Sequence, residues 1–222
     1  MAFILNIETA TKNCSVCLAE NGIPLATAEY AGEGYTHAEK LHVFIEDVLR
    51  KGGITFKDLA AVAVSMGPGS YTGLRIGVSA AKGLCYALNI PLLAIDTLEL
   101  IARKLTIDNG VIVPMIDARR MEAYTSVFDA GYKKIREIKA EIITTDSFAD
   151  IEGKINLAGD GAAKCREVLT SDRFIYHDDV LYPSSVQMAA LSFDKYKKSD
   201  TVDVAYFEPF YLKDFIAGGK SS

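Results

Sequence analysis

Glu8 closes the apolar run AFILNIETA (2–10) and puts a carboxylate where a strand hands over to a turn. Such a group can orient water, backbone or a metal, but alone it repels phosphate. His37 and His42 stand five apart within THAEKLHVFIEDVLRKGG (36–53). On an ideal helix that spacing separates the side chains by about 140°, which does not suit one ion. Leu41, at the fourth step from His37, is apolar, so each histidine reads as a polar contact. His177 precedes Asp178 and Asp179 with no second histidine nearby, which reads as loop chemistry. Cys14 and Cys17 lie in the strand-like NCSVCLA (13–19), where residues three apart point to opposite faces. With Cys85 and Cys165 they are expected to be ordinary buried thiols. Ser65, Ser70 and Ser79 fall outside a GxSxG elbow, so no acyl-transfer nucleophile stands out.

MGPGSYTGLRIGVSAAKGL (66–84) is the most specific stretch. Its GPG turns a strand into a helix whose first amides could hold an anion. The Walker Lys-Ser/Thr is absent, however, and the pattern is not GxGxxG. Turn formation is the stronger signal, and GDGAAK (159–164) is read with the same restraint. Gly73, Gly77 and Ala81 recur at four-residue steps. Two internal glycines cost about 1 kcal/mol each in helix propensity, and close packing along that strip would offset the cost. Three occupants remain open: the chain's own sheet, a partner, or a phosphate. Arg75, Lys82, Tyr71 and Tyr86 add polar handles off the strip.

The elements that must position these residues alternate along the chain. AFILNIETA and NCSVCLAENGIPLATAEY predict three antiparallel strands, with Asn21-Gly22 at the tight turn. Thr36 is suited to cap a helix whose Leu41, Phe44, Ile45, Val48 and Leu49 make one apolar face. DLAAVAVSMGPG hardly alternates, as a strand buried on both faces should. Ser70 caps a second helix reaching about Leu88, followed by a strand at 91–96 and a helix in TLELIARKL. VIVPMIDARR, EAYTSVFDA and KKIREIKAEI begin a second strand set near residue 111. KINLAGDGAAKCREVLT reads as strand, turn and helix, RFIYH as a strand, and PSSVQMAALSFDKYK as a helix. YFEPFYLKDF reads as an edge strand or an extended docking segment, since Pro209 disfavours a central strand. GGKSS reads as a loose tail.

The order predicts an α/β protein of two related lobes, 1–100 and 101–204, with 205–222 returning toward the first. The 222 residues are 50% apolar, enough for buried layers, and the net charge of -5 argues against a broadly basic nucleic-acid binder. A local basic patch is not excluded by that total. No basic N-terminal segment leads into a long apolar run, so neither export nor membrane spanning is indicated.

MAFILNIETATKNCSVCLAENG, GPGSYTGLRIGVSAAKGL (67–84), VPMIDARRMEAYTSVF (113–128) and FEPFYLKDF together resemble the TsaB (YeaZ-like) family, over nearly the whole chain. That resemblance implies an actin-like, sugar-kinase-like (ASKHA) fold and a cytoplasmic, non-catalytic role in bacterial tRNA threonylcarbamoyladenosine synthesis. It also implies partners: a TsaD-like catalytic subunit, a TsaE-like ATPase, and a homodimer through the same helices, with tRNA engaged mainly through the complex. ATP and metal belong to those partners, and no cofactor is expected in the isolated chain. Helices 37–50 and 70–88 correspond to the contact elements. The interface candidates are His37, Leu41, Ile45, Gly73, Leu74, Arg75, Gly77, Val78, Lys82 and Tyr86. TsaD-like proteins carry two metal-binding histidines four apart on the first long helix, where this chain has His37 and Leu41. A self-contained nucleotide-using kinase or transferase, and a homodimeric regulatory protein, remain the alternatives.

Overall fold

In a computed structural model the described residues are 1–32 and 37–212. The proposed Thr36 cap and the GGKSS tail lie outside them. The N-terminal sheet is built from β1 (Phe3–Glu8), β2 (Asn13–Glu20), β3 (Ile23–Ala31), β4 (Leu59–Gly67) and β5 (Leu92–Asp96), in the order β3-β2-β1-β4-β5. β1, β2 and β3 are antiparallel, and β4 and β5 continue parallel to β1. Asn21 and Gly22, with φ of 49° and 84°, form the tight turn of the hairpin. Such a turn needs left-handed residues because its twist must match the strands.

The second sheet uses β6 (Val111–Asp117), β7 (Glu122–Phe128), β8 (Lys134–Ile142), β9 (Ile155–Ala158) and β10 (Phe174–His177). Its order, β10-β9-β6-β7-β8, is the first sheet's order traced from the other edge. Again a three-stranded meander is extended by two parallel strands. The chain is therefore two mixed α/β lobes with one repeated topology.

The lobes differ in their helices. α1 (His37–Gly52) and α2 (Tyr71–Leu88) cross over between strands of the first sheet. Leu41, Ile45, Val48, Val78, Ala81 and Cys85 pack with Leu5, Val16 and Val62 in its core. α2 starts at Ser70, whose side chain accepts from the Gly73 amide, and stops at Asn89 in the left-handed region. α3 (Thr97–Ala102) is capped by Asp96. α4 (Met188–Lys197) covers the other face of the first sheet, with Met188 against Ile4, Ala63 and Leu93.

The helix expected after GDG is a correction: only a 3-10 turn, Ala163–Cys165, forms there. Its amides reach back three residues, as in Cys165 N to Ala162 O and Val168 N to Cys165 O. Cys165 and Leu169 are buried against Leu157, so packing is satisfied without a regular helix. The C-terminal segment adds no regular strand among its described residues. It runs back over the first lobe, with a single bridge between Val202 and Leu92 and the Phe210 amide on the Met66 carbonyl.

Candidate functional site

The GPG turn and the β1–β2 loop form one interlocked unit. The Ser70 amide donates to the Ala10 carbonyl at 2.7 Å, and the Thr9 hydroxyl donates to the Gly73 carbonyl at 2.7 Å. A methyl group on Gly73 would lie 2.1 Å from the Thr9 carbonyl oxygen, and one on Gly77 2.2 Å from the Thr9 hydroxyl. One on Gly69 would lie 2.3 Å from the Ala10 carbonyl oxygen. The glycine strip thus lets α2 sit directly on residues 9 and 10. The sequence left the chain's own sheet, a partner or a phosphate as occupants; the chain itself takes this face, through the β1–β2 loop rather than the sheet. At the start of the helix the Ser70 amide is taken by the Ala10 carbonyl and the Gly73 amide by the Ser70 hydroxyl.

Glu8 lies beneath this loop, wholly buried. Its Oε1 accepts from the Ala10 amide at 2.5 Å, while Oε2 has no hydrogen-bond partner. Burial outweighs that hydrogen bond and the nearby Ser65 hydroxyl, pushing the carboxyl up to about 8. Glu8 is therefore predominantly a neutral acid at pH 7, poor at holding a cation. His37, also buried, pairs its Nε2 with the Thr11 carbonyl at 2.8 Å, and desolvation lowers its pKa. Among the described residues, no three His, Cys, Asp or Glu side chains converge as a metal site. All four cysteines are free and buried, and desolvation lifts Cys14, Cys17 and Cys85 to about 11.

The expected contact residues separate into two groups. Leu41, Ile45, Leu74 and Val78 are buried in the single chain, as are Gly73, Gly77 and His37. Their place is against the chain's own sheet and loop, because the apolar stripe that predicts a helix is also the stripe that holds it down. Lys82 donates to the Ala205 and Phe207 carbonyls and so ties the C-terminal segment to α2. Arg75 and Tyr86 do face outward, Tyr86 at 85% exposure. With them, Thr72 and Ser79 line the outer side of α2, where Tyr71, Thr72, Arg75, Ile76 and Ser79 border a shallow groove of about 530 Å³. From the sequence Thr72 is passed over and Ser79 is weighed only as a nucleophile, although the same helical wheel read from its polar side would have found both as surface residues. Gly83, also outward, has nothing within 4 Å of where a Cβ would stand.

Across from the GPG turn, an open cleft of about 720 Å³ separates the lobes. Its far wall is the turn between β6 and β7. Asp117 accepts from the Arg119 amide and pairs with Lys164, and the Asp117 amide donates to Asp160. Burial raises the Asp160 pKa. Arg119 and Arg120 hold φ of 72° and 50°, a region that non-glycine residues seldom enter. No sequence signal marked this, since arginine is not a residue of left-handed turns. Lys134 reaches across the lobes to Asp96 at 2.6 Å.

Residues 34–216 match the family model described as TsaD: tRNA N6-adenosine threonylcarbamoyltransferase. The chain is similar to the tRNA threonylcarbamoyladenosine biosynthesis protein TsaB of Escherichia coli (strain K12), with 29% identity over 98% of this chain and 97% of that protein. The tRNA N6-adenosine threonylcarbamoyltransferase of Bacillus subtilis (strain 168) is 32% identical over a shorter stretch, 42% of this chain and 31% of that protein. Among solved structures, YeaZ from Pseudomonas aeruginosa superposes with a TM-score of 0.83 at 22% identity, over 96% of this chain and 100% of that one. No helix of the described residues is long and apolar enough to cross a membrane.

Proposed function

This chain belongs to the TsaD family, in its TsaB (YeaZ-like) branch, and from that premise we propose that it is the non-catalytic subunit supporting a TsaD-type transferase. The reaction it supports moves a threonylcarbamoyl group onto the adenosine following the tRNA anticodon. One observation carries the reading: the edge where a transfer centre would need open donors is closed by the protein itself. The Ser70 cap amide is taken by Ala10, the Gly73 amide by the Ser70 hydroxyl and His37 by Thr11, and Leu41 is buried four residues on. The two-lobe repeat is read as an actin-like, sugar-kinase-like fold whose own phosphate grip has been replaced by packing. The lobes are taken as 1–100 and 101–204, except that α4 belongs with the first, as do the described residues 205–212.

The contact surface is the outward side of α1 and α2, revised from the buried candidates to Tyr86, Arg75, Ser79 and Val43. Val43 is 62% exposed and Tyr86 85%, apolar and aromatic area suited to the centre of an interface. A TsaD-type subunit or a second copy of this chain would occupy it, with a TsaE-type ATPase joining the assembly in the cytoplasm. The support is positional, since a displacement of about 1 Å greatly slows a positioned reaction. The test is depletion of this protein in its host, followed by nucleoside analysis of total tRNA. Loss of threonylcarbamoyladenosine, with co-purification of the transferase, is expected. Persistence of the modified nucleoside overturns the role. In the purified pair, Tyr86→Ala together with Ser79→Arg should abolish co-purification while the thermal transition of the isolated chain stays in place.

A further inference from the structure

The cleft wall built by the β6–β7 turn has a property that partner docking through α1 and α2 does not require. Of the carboxylates on this wall, Asp117 accepts from the Arg119 amide and pairs with Lys164, and Asp160 accepts from the Asp117 amide, while Glu122 lines the cleft beside them. The side chains of Arg119 and Arg120 make no hydrogen bond or ion pair among the described residues, and both border the cleft. Lys12 faces them from the other lobe, close enough to Asp160 to influence its ionisation. Two consecutive arginines in the left-handed region are costly, at about 1–2 kcal/mol each. Backbone strain held by surrounding hydrogen bonds is a pointer to function. Here it presents two adjacent, unneutralised guanidiniums at the rim of a cleft in a protein whose net charge is -5.

We infer that this rim is a direct contact site for a single-stranded RNA segment, with Arg119, Arg120 and Lys12 on successive phosphates. The near wall carries the aromatic component. Tyr71 and Tyr211 place their ring centroids 4.8 Å apart beside the same cleft, and Tyr211 is 38% exposed, leaving a face for a base. A strand fits better than a free nucleotide. The Ser70 and Gly73 amides at the start of α2 are already taken, by the Ala10 carbonyl and the Ser70 hydroxyl, and the cations lie along the rim rather than at one phosphate pocket. The choice of RNA as the polyanion rests on the role proposed above; the unneutralised rim does not.

The experiment is fluorescence polarisation of a labelled tRNA anticodon stem-loop titrated with the full chain at several salt concentrations. ATP and a polyglutamate peptide serve as comparison ligands. The variant is Arg119→Asn with Arg120→Asn, because asparagine tolerates the left-handed backbone. Binding should weaken by about tenfold or more, and the slope of log Kd against log salt should fall by about 1.4, for two single-strand phosphate contacts. Lys12→Gln, on the opposite lobe, should weaken binding in the same direction and keeps the test open if the turn variant fails to fold. Lys197→Gln, exposed on α4, should leave binding unchanged. Absence of RNA binding overturns the inference, as does equal loss in Lys197→Gln or unchanged affinity in the rim variants. Tighter binding of ATP, or equal binding of polyglutamate, overturns the assignment to an RNA strand. Co-purification with the transferase is read in parallel. RNA binding lost with the complex intact removes this inference alone; an absent complex with RNA binding intact removes the proposed role alone.

Discussion

Glu8→Gln should stabilise the protein at alkaline pH and leave it nearly unchanged in acid. The carboxyl is fully buried, and desolvation, opposed by the Ala10 amide and Ser65, lifts it from an ordinary 4.5 to about 8. In the unfolded chain the group ionises as pH rises through 4.5, whereas the folded protein keeps its proton until about 8. Between those values the folded state binds more protons, so stability falls as pH rises. The decline is about 1.4 kcal/mol per pH unit, and the full interval corresponds to at most about 5 kcal/mol. Below 4.5 both states are protonated and the group contributes no slope; above about 8 both are ionised and the loss is complete. Glutamine keeps the neutral shape, can accept from the Ala10 amide, and does not titrate. Urea unfolding of wild type and variant at pH 5, 6, 7 and 8 reads the difference directly. The gap should widen with pH to several kcal/mol, and in a chain of this size each kcal/mol is worth about 2–4 °C in Tm. Parallel stability curves across that range would refute the account of Glu8 as a buried neutral acid.

Gly77→Ala should destabilise the fold by about 1–3 kcal/mol, since its methyl would stand 2.2 Å from the Thr9 hydroxyl. Gly83→Ala, with open space at its Cβ position, should raise stability by about 1 kcal/mol through helix propensity; denaturant midpoints of the two variants should move in opposite directions. Iodoacetamide at pH 8 should leave the native protein unlabelled, because all four thiols are buried and Cys14, Cys17 and Cys85 are lifted to about 11. Mass spectrometry of the urea-unfolded chain should then show four adducts.

Local signals carried far in the first lobe. The Asn21-Gly22 turn, the unbroken apolar run of β4 and the Ser70 cap each state their geometry in a few adjacent residues. They carried less far after residue 143, where Cys165 and Leu169 look like the face of a helix but pack from a chain of turns. The candidate contact surface shows the same limit. Periodicity identified Leu41, Ile45, Leu74 and Val78 as one side of each helix, and could not say that the sheet rather than a partner covers that side.

The sequence by itself determined the strand and helix order of the first lobe, the turn at GPG, the poor spacing of the histidines and the family resemblance. All of these are written in neighbouring residues or in a period of two or four. Only the tertiary structure decided that Thr9 fills the Gly73–Gly77 strip and that Lys82 holds the C-terminal segment. It alone placed α4 on the first sheet and left Arg119 and Arg120 unneutralised at the cleft. The physical reason is that spacing along the chain fixes which side chains share a face. What that face meets depends on contacts between residues tens of positions apart, and those exist only once the lobes have closed on their cores.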